Sequence, residues 1–177
     1  MRRLINKHGQ IWVETVIYTL IGLAIIGMVL AAAKPKIDAK KDEIIIEQSI
    51  EALGNINDKI YEVQRAAGNR RSIDLTIGKG KLIIDMEQDK ISWVLESSFE
   101  YSEKDVAVSL GSLEVLTKES TPWEVTLEED YSVDIQFDGQ TGGTKEIDAA
   151  STPYGLIIEN KGTDNSTGNL VIDLRIT

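Results

Sequence analysis

Glu14 is the only charged side chain between Lys7 and Lys34, and it stands near the start of the apolar run QIWVETVIYTLIGLAIIGMVLAAA. A carboxylate inside an apolar helix costs on the order of 3 kcal/mol on insertion scales, so something must offset it. Either the side chain reaches water within a turn of a membrane boundary, or an opposite charge is brought to it. The rest of the chain offers little other chemistry. It has no cysteine, which removes disulfides and thiolate metal sites. His8 is the single histidine, so a Ser/His/Asp array or a His-ligated metal would rest on it alone. The 29 acidic residues offer many carboxylate pairs, too many for any one pair to be specific. Neither GxxxxGK[ST] nor GxGxxG occurs. We expect no enzyme activity and no cofactor or metal.

The elements that would position Glu14 follow from charge and hydropathy. From residue 15 to residue 33 nothing is charged, a run of 19 residues. As a helix it is about 28 Å long, close to the hydrocarbon thickness of a bilayer. Arg2, Arg3 and Lys7 precede it and favour a cytoplasmic N-terminus, with the rest outside, although Lys34, Lys36, Lys40 and Lys41 weaken the asymmetry. Gly22 and Gly27 are five apart, not at the GxxxG spacing, and read as permissive small residues. Pro35 lacks a backbone donor and should kink the helix where it leaves the membrane. A net charge of -10, from 19 basic and 29 acidic residues, argues against a nucleic-acid partner.

The start of the chain, a short basic leader ending in Gly9, then Gln10, then Glu14 four residues on, resembles the class III signal peptide of archaeal type IV pilins and archaellins. The resemblance covers about the first 35 residues. It implies that a prepilin peptidase cuts after Gly9, that Gln10 becomes the new N-terminus, and that the apolar stretch stays in the mature protein. It further implies that Glu14 supplies the charge opposite the freed α-amino group, in its own subunit or the adjacent one, during assembly by a platform and ATPase. His8 stands where many members carry Lys or Arg, Trp12 where Ser is frequent, and Tyr18 where Leu is frequent. Cleavage would leave 16 basic against 29 acidic residues and no histidine. The implied partner is a second copy of the chain, in a helical homopolymer, with a membrane stage before it. The contrasting expectation is a monomeric, membrane-anchored extracellular binding module that keeps its leader.

Beyond Pro35, apolar residues recur at Ile46, Ile50, Leu53, Ile56, Ile60, Val63 and Ala67 in steps of three or four. That stripe predicts a helix packed on the chain's own head, with Glu47, Glu51, Asn55, Asp58, Glu62 and Arg65 opposite. Gly68 and Asn69 supply a stop. Leu30, Ala33, Ile37 and Ile44 lie off the stripe and suggest a second surface, buried only when helices of several subunits bundle. After residue 69, short apolar or alternating runs predict strands at 72–77, 81–86, 91–96, 106–110, 113–117, 123–127, 132–137, 154–159 and 169–176. The loops at 138–144 and 163–169 are oxygen-rich but lack the EF-hand spacing and read as solvated turns. Asn165, Ser166 and Thr167 form an N-glycosylation sequon in such a turn. The predicted fold is α+β. A leader (1–9), a hydrophobic transmembrane or filament-core helix (10–34, kinked near Pro35) and an amphipathic continuation (35–68) precede an extracellular antiparallel β-sandwich or barrel head (69–177).

Overall fold

A computed structural model describes the chain from Lys7, with side chains from Trp12 onwards. Arg2, Arg3 and most of the expected leader lie outside the described residues, as does the side chain of Gln10. One helix, α1 (Lys7–Val63), runs through Pro35 as a single element. Two compact units divide the chain, Met1–Lys40 and Lys41–Thr177. The division falls inside α1, beyond Pro35, because the helix joins the head's core only from Asp42 and Ile46 onwards.

In the second unit the predicted stripe is the buried face. Ile46, Leu53, Ile56, Ile60 and Val63 are at most 2% exposed, while Glu47, Glu51, Asn55 and Asp58 face water. The helix ends at Val63, earlier than the stripe suggested, and Ala67 is exposed. Gly68 does adopt a left-handed conformation (φ 80°), and its N–H donates to the Asn160 carbonyl rather than back into the helix.

Ten strands follow: β1 (Arg70–Leu75), β2 (Lys81–Asp85), β3 (Lys90–Ser97), β4 (Ala107–Leu110), β5 (Leu113–Lys118), β6 (Trp123–Asp130), β7 (Asp134–Phe137), β8 (Thr144–Asp148), β9 (Tyr154–Thr163) and β10 (Leu170–Ile176). A six-stranded sheet has the order β4-β5-β6-β3-β2-β8, and a four-stranded sheet has the order β1-β9-β10-β7. All pairings are antiparallel except β10 with β7, which is parallel. The expected antiparallel head therefore carries one parallel edge. Nine strands match the sequence expectation in place; β8 was missed because TKEID is short and mostly charged and follows a glycine-rich turn.

Both sheets and α1 contribute to one core, with Leu82, Ile91, Trp93, Val115 and Leu127 from the larger sheet and Leu156, Ile158, Ile172 and Leu174 from the smaller. Period-two alternation selects these residues; β3, for example, alternates buried and half-buried positions from Ile91 to Leu95. Trp93 is buried and gives its indole N–H to the Lys79 carbonyl at 3.0 Å. That contact requires the chain to turn tightly at Gly80 (φ 77°), where a Cβ would meet the Val94 carbonyl oxygen at 2.2 Å. Only glycine fits there. At the β2–β3 hairpin, Asp85 accepts the N–H groups of Glu87 and Gln88 at 2.9 and 3.0 Å. Asp89, in a left-handed conformation, accepts the Ile135 N–H at 2.8 Å and so ties the hairpin to β7.

One core-facing position of β6 holds a carboxylate, Glu129, which is 4% exposed. Burial pushes its carboxyl above the usual range; a hydrogen bond from Ser112 works against this, and the neighbouring Asp130 adds to it. Ser112 in turn accepts from Asn57 of α1 at 3.2 Å. No cation pairs with Glu129 among the described residues. The Tyr131 hydroxyl is likewise buried without a partner, and burial drives it far above its ordinary range.

A group whose pKa is raised in the folded state costs stability wherever it is ionised. Glu129→Gln should therefore stabilise the full-length chain in detergent at pH 7, by about 1 kcal/mol. The gain should shrink as pH falls through the folded pKa of Glu129 and vanish below its unfolded value. Melting curves of both proteins across pH 3.5–8, followed by circular dichroism, read this difference directly; a gap that widens towards acid would contradict it.

Candidate functional site

The first unit places Glu14, Leu30, Ala33 and Ile37 on a helix that no other described element covers. Thirteen large hydrophobic residues from Trp12 to Leu30 are each at least 38% exposed. They point in all directions around the helix, which distinguishes this segment from the one-sided stripe that follows. A helix apolar all round needs an apolar surrounding on every side. By length and composition this one is long and apolar enough to cross a membrane, and none of its most apolar stretch is buried within the chain. The hydroxyl of Thr19 donates to the Thr15 carbonyl at 2.8 Å, so one of its few polar side chains is satisfied within the helix.

Glu14 is exposed on this surface and has no partner among the described residues. The Gly9–Gln10 peptide bond lies within the first turn of α1. Leu30 is 63% and Ile37 53% exposed, with Ala33 half-buried between them, and their spacing of three and four puts them on one ridge of the unbroken helix. Ile44, in the second unit, is 44% exposed although α1 is by then packed on the sheets. Asn165 is exposed in the turn between β9 and β10. Asp164 shapes that turn by accepting the Ser166 N–H at 2.5 Å, and Thr167 of the sequon gives its hydroxyl to Asp134 at 3.0 Å.

Asp42 is a site the sequence reading passed over. It is buried, and its carboxylate accepts Lys79 Nζ at 2.6 Å, the Ser98 N–H at 2.7 Å and the Ser98 hydroxyl at 2.6 Å. Lys79 precedes β2 and Ser98 follows β3, so one carboxylate fastens α1 to two loops of the larger sheet. Burial pushes the Asp42 carboxyl up, but the hydrogen bonds from Lys79 and Ser98 outweigh it, and the pKa lies below the ordinary value. The signal was present in the spacing. Counting back from Ile46 by four lands on Asp42, an acid in register with the buried stripe.

These features define a class: an apolar helical segment able to span a membrane, joined to a two-sheet β head that closes its own core. Comparison with protein-family models, curated proteins and solved structures returned no match.

A depressed carboxylate pKa contributes stability above its unfolded value and loses it as pH falls. Asp42→Asn should therefore lower the stability of the head by about 1–3 kcal/mol at neutral pH. The difference between the two proteins should be complete above about pH 5 and should narrow below about pH 4. Melting temperatures across that range test it, and a constant difference would refute a charge-based role for Asp42.

Proposed function

We propose that the chain is the structural subunit of an extracellular filament like the archaeal type IV pili, assembled from the membrane by bundling of its N-terminal helices. The observation that carries this reading is the Trp12–Leu30 surface, apolar all round and exposed, with a single carboxylate near its start. Lipid can cover such a surface first and helices of other subunits afterwards. Covering roughly half of thirteen large side chains is worth on the order of 10 kcal/mol or more before ordering costs. Glu14 fits the assembled stage better than a plain anchor. Leader removal at Gly9 would leave an ammonium on Gln10, one helical turn away, and in a dry bundle each charge would need the other. The peptidase, the assembly platform and the ATPase are the partners this route requires, and the cell surface is where it ends. No step calls for catalysis by this chain.

Mass spectrometry of the native protein should find its N-terminus at Gln10. A start at Met1, or beyond Ala33, would remove the main support and favour a membrane-anchored binding module instead. Glu14→Ala should leave cleavage nearly intact while filament yield in electron micrographs falls at least tenfold, the scale set by an unpaired charge worth more than about 1.4 kcal/mol. Filaments in wild-type number from that variant would sink the role given to Glu14.

A further inference from the structure

Within the second unit, α1 and β1 do not close on one another. Between them runs an open groove of about 530 Å³, floored by Ile45, Ala52, Ile73 and Leu75, with Gln48 and Asn55 along its helical side. Strand β1 is an edge of its sheet, paired only with β9, so its other side borders this groove. The two ionisable residues lining it, Glu51 and Asp74, are both acidic and exposed, and neither has a cationic partner among the described residues.

The first unit carries the complementary shape and charge. Leu30, Ala33 and Ile37 form an apolar ridge, and Lys34 lies within about 60° of it on the helical wheel. Lys34 is exposed and has no anionic partner among the described residues. The ridge is about 10 Å long, and the helical wall of the groove, residues 45–55, is about 15 Å long, so the ridge fits inside it. Anchors at i, i+3 and i+7 are the usual way a helix fills an apolar groove.

We infer that this groove receives the Leu30, Ala33 and Ile37 ridge of a second copy of the chain, with Lys34 of that copy set against Glu51 and Asp74. The inference rests on the filament reading but goes beyond it. Bundling of N-terminal helices alone would leave the heads without defined contacts, whereas this contact locks one subunit's head to another's helix. Parallel packing would bring Ile37 of the second copy to the Asn55 end of the groove and Leu30 to the Ile45 end. The contact also gives the apolar ridge an occupant that the described residues of its own chain do not provide.

The absence of cysteine from the sequence makes a clean test possible. Filaments bearing both Ile37→Cys and Asn55→Cys, oxidised after assembly, should run as a ladder of covalent multimers on non-reducing gels. Filaments bearing Ile37→Cys and Val106→Cys should not, since Val106 is exposed and does not line the groove. Intact filaments with no ladder from the first pair would overturn the inference, and would point to an extended strand added along β1 or to an empty groove. Equal ladders from both pairs would overturn it as well. Lys34→Glu should reduce filament yield about fivefold at low salt, and adding Asp74→Lys should restore it; a reduction that Asp74→Lys leaves untouched would count against the charge pairing. Failure of the unaltered chain to assemble at all would instead strike at the filament reading itself.

Discussion

Everything in this protein is arranged around a helix that cannot cover itself. From Trp12 to Leu30 the surface is apolar on every side, and water is a poor solvent for it. The cost of exposing it scales with area and has no direction, so it can be relieved only by a surrounding medium, never by a single contact. Lipid meets that requirement and so does a bundle of like helices. A one-sided stripe, such as the one that begins at Ile46, needs only one partner, and the chain supplies it. The change from all-round to one-sided hydrophobicity along a single element divides the molecule into a part that depends on its surroundings and a part that does not.

Two carboxylates on the same helix show what that division means for charge. Asp42 is buried in the head and is fully provided for, by a lysine and by the N–H and hydroxyl of one serine. Its ionised form is favoured in spite of burial. Glu14 has no such provision within the described residues. The difference follows from where each lies. Asp42 is packed against loops that can carry donors, whereas Glu14 sits on a surface whose neighbours are apolar side chains of its own helix. A third carboxylate, Glu129, shows the intermediate case: among the described residues it receives a serine hydroxyl but no cation, and burial shifts its pKa above the ordinary value. Burial is common to Asp42 and Glu129, and the number and charge of the donors decide the outcome.

Much of this architecture was legible in the sequence because it depends on periodicity. The stripe from Ile46 to Val63 and nine of ten strands are written in apolar spacing, and packing honoured it. What was not legible depended on pairing in space. TKEID of β8 has one buried residue, Ile147, and becomes a strand because β2 offers it a ladder from Lys81 to Asp85. The parallel partnership of β7 and β10 cannot be read from either strand alone. The helix stops at Val63 because the Asn160 side chain takes up the Val63 carbonyl at 2.9 Å while the Asn160 carbonyl accepts from Gly68. Those partners are about a hundred residues away. Of the site, the apolar segment and Glu14 could be found from residue types, but Asp42 could not be separated from the other acids of α1 without reading it against the buried stripe.

The charge distribution adds a constraint on any assembly of this chain. Residues 1–40 hold 6 basic and 2 acidic residues, whereas residues 41–177 hold 13 basic and 27 acidic ones. Heads brought side by side would repel one another over distances comparable with the Debye length, about 8 Å at physiological ionic strength. Apolar attraction between the helices does not remove that repulsion; it only has to exceed it. A contact that sets the lysines of one copy against the acidic head of the next converts part of the repulsion into attraction. Exposed ion pairs are individually weak, typically under 1 kcal/mol, so such a contact would do little to hold subunits together by itself. Its effect would lie in selection among packings: apolar cohesion between helices depends on buried area and not on direction, whereas a basic helical segment next to an acidic head would penalise every stagger that brings like charges level.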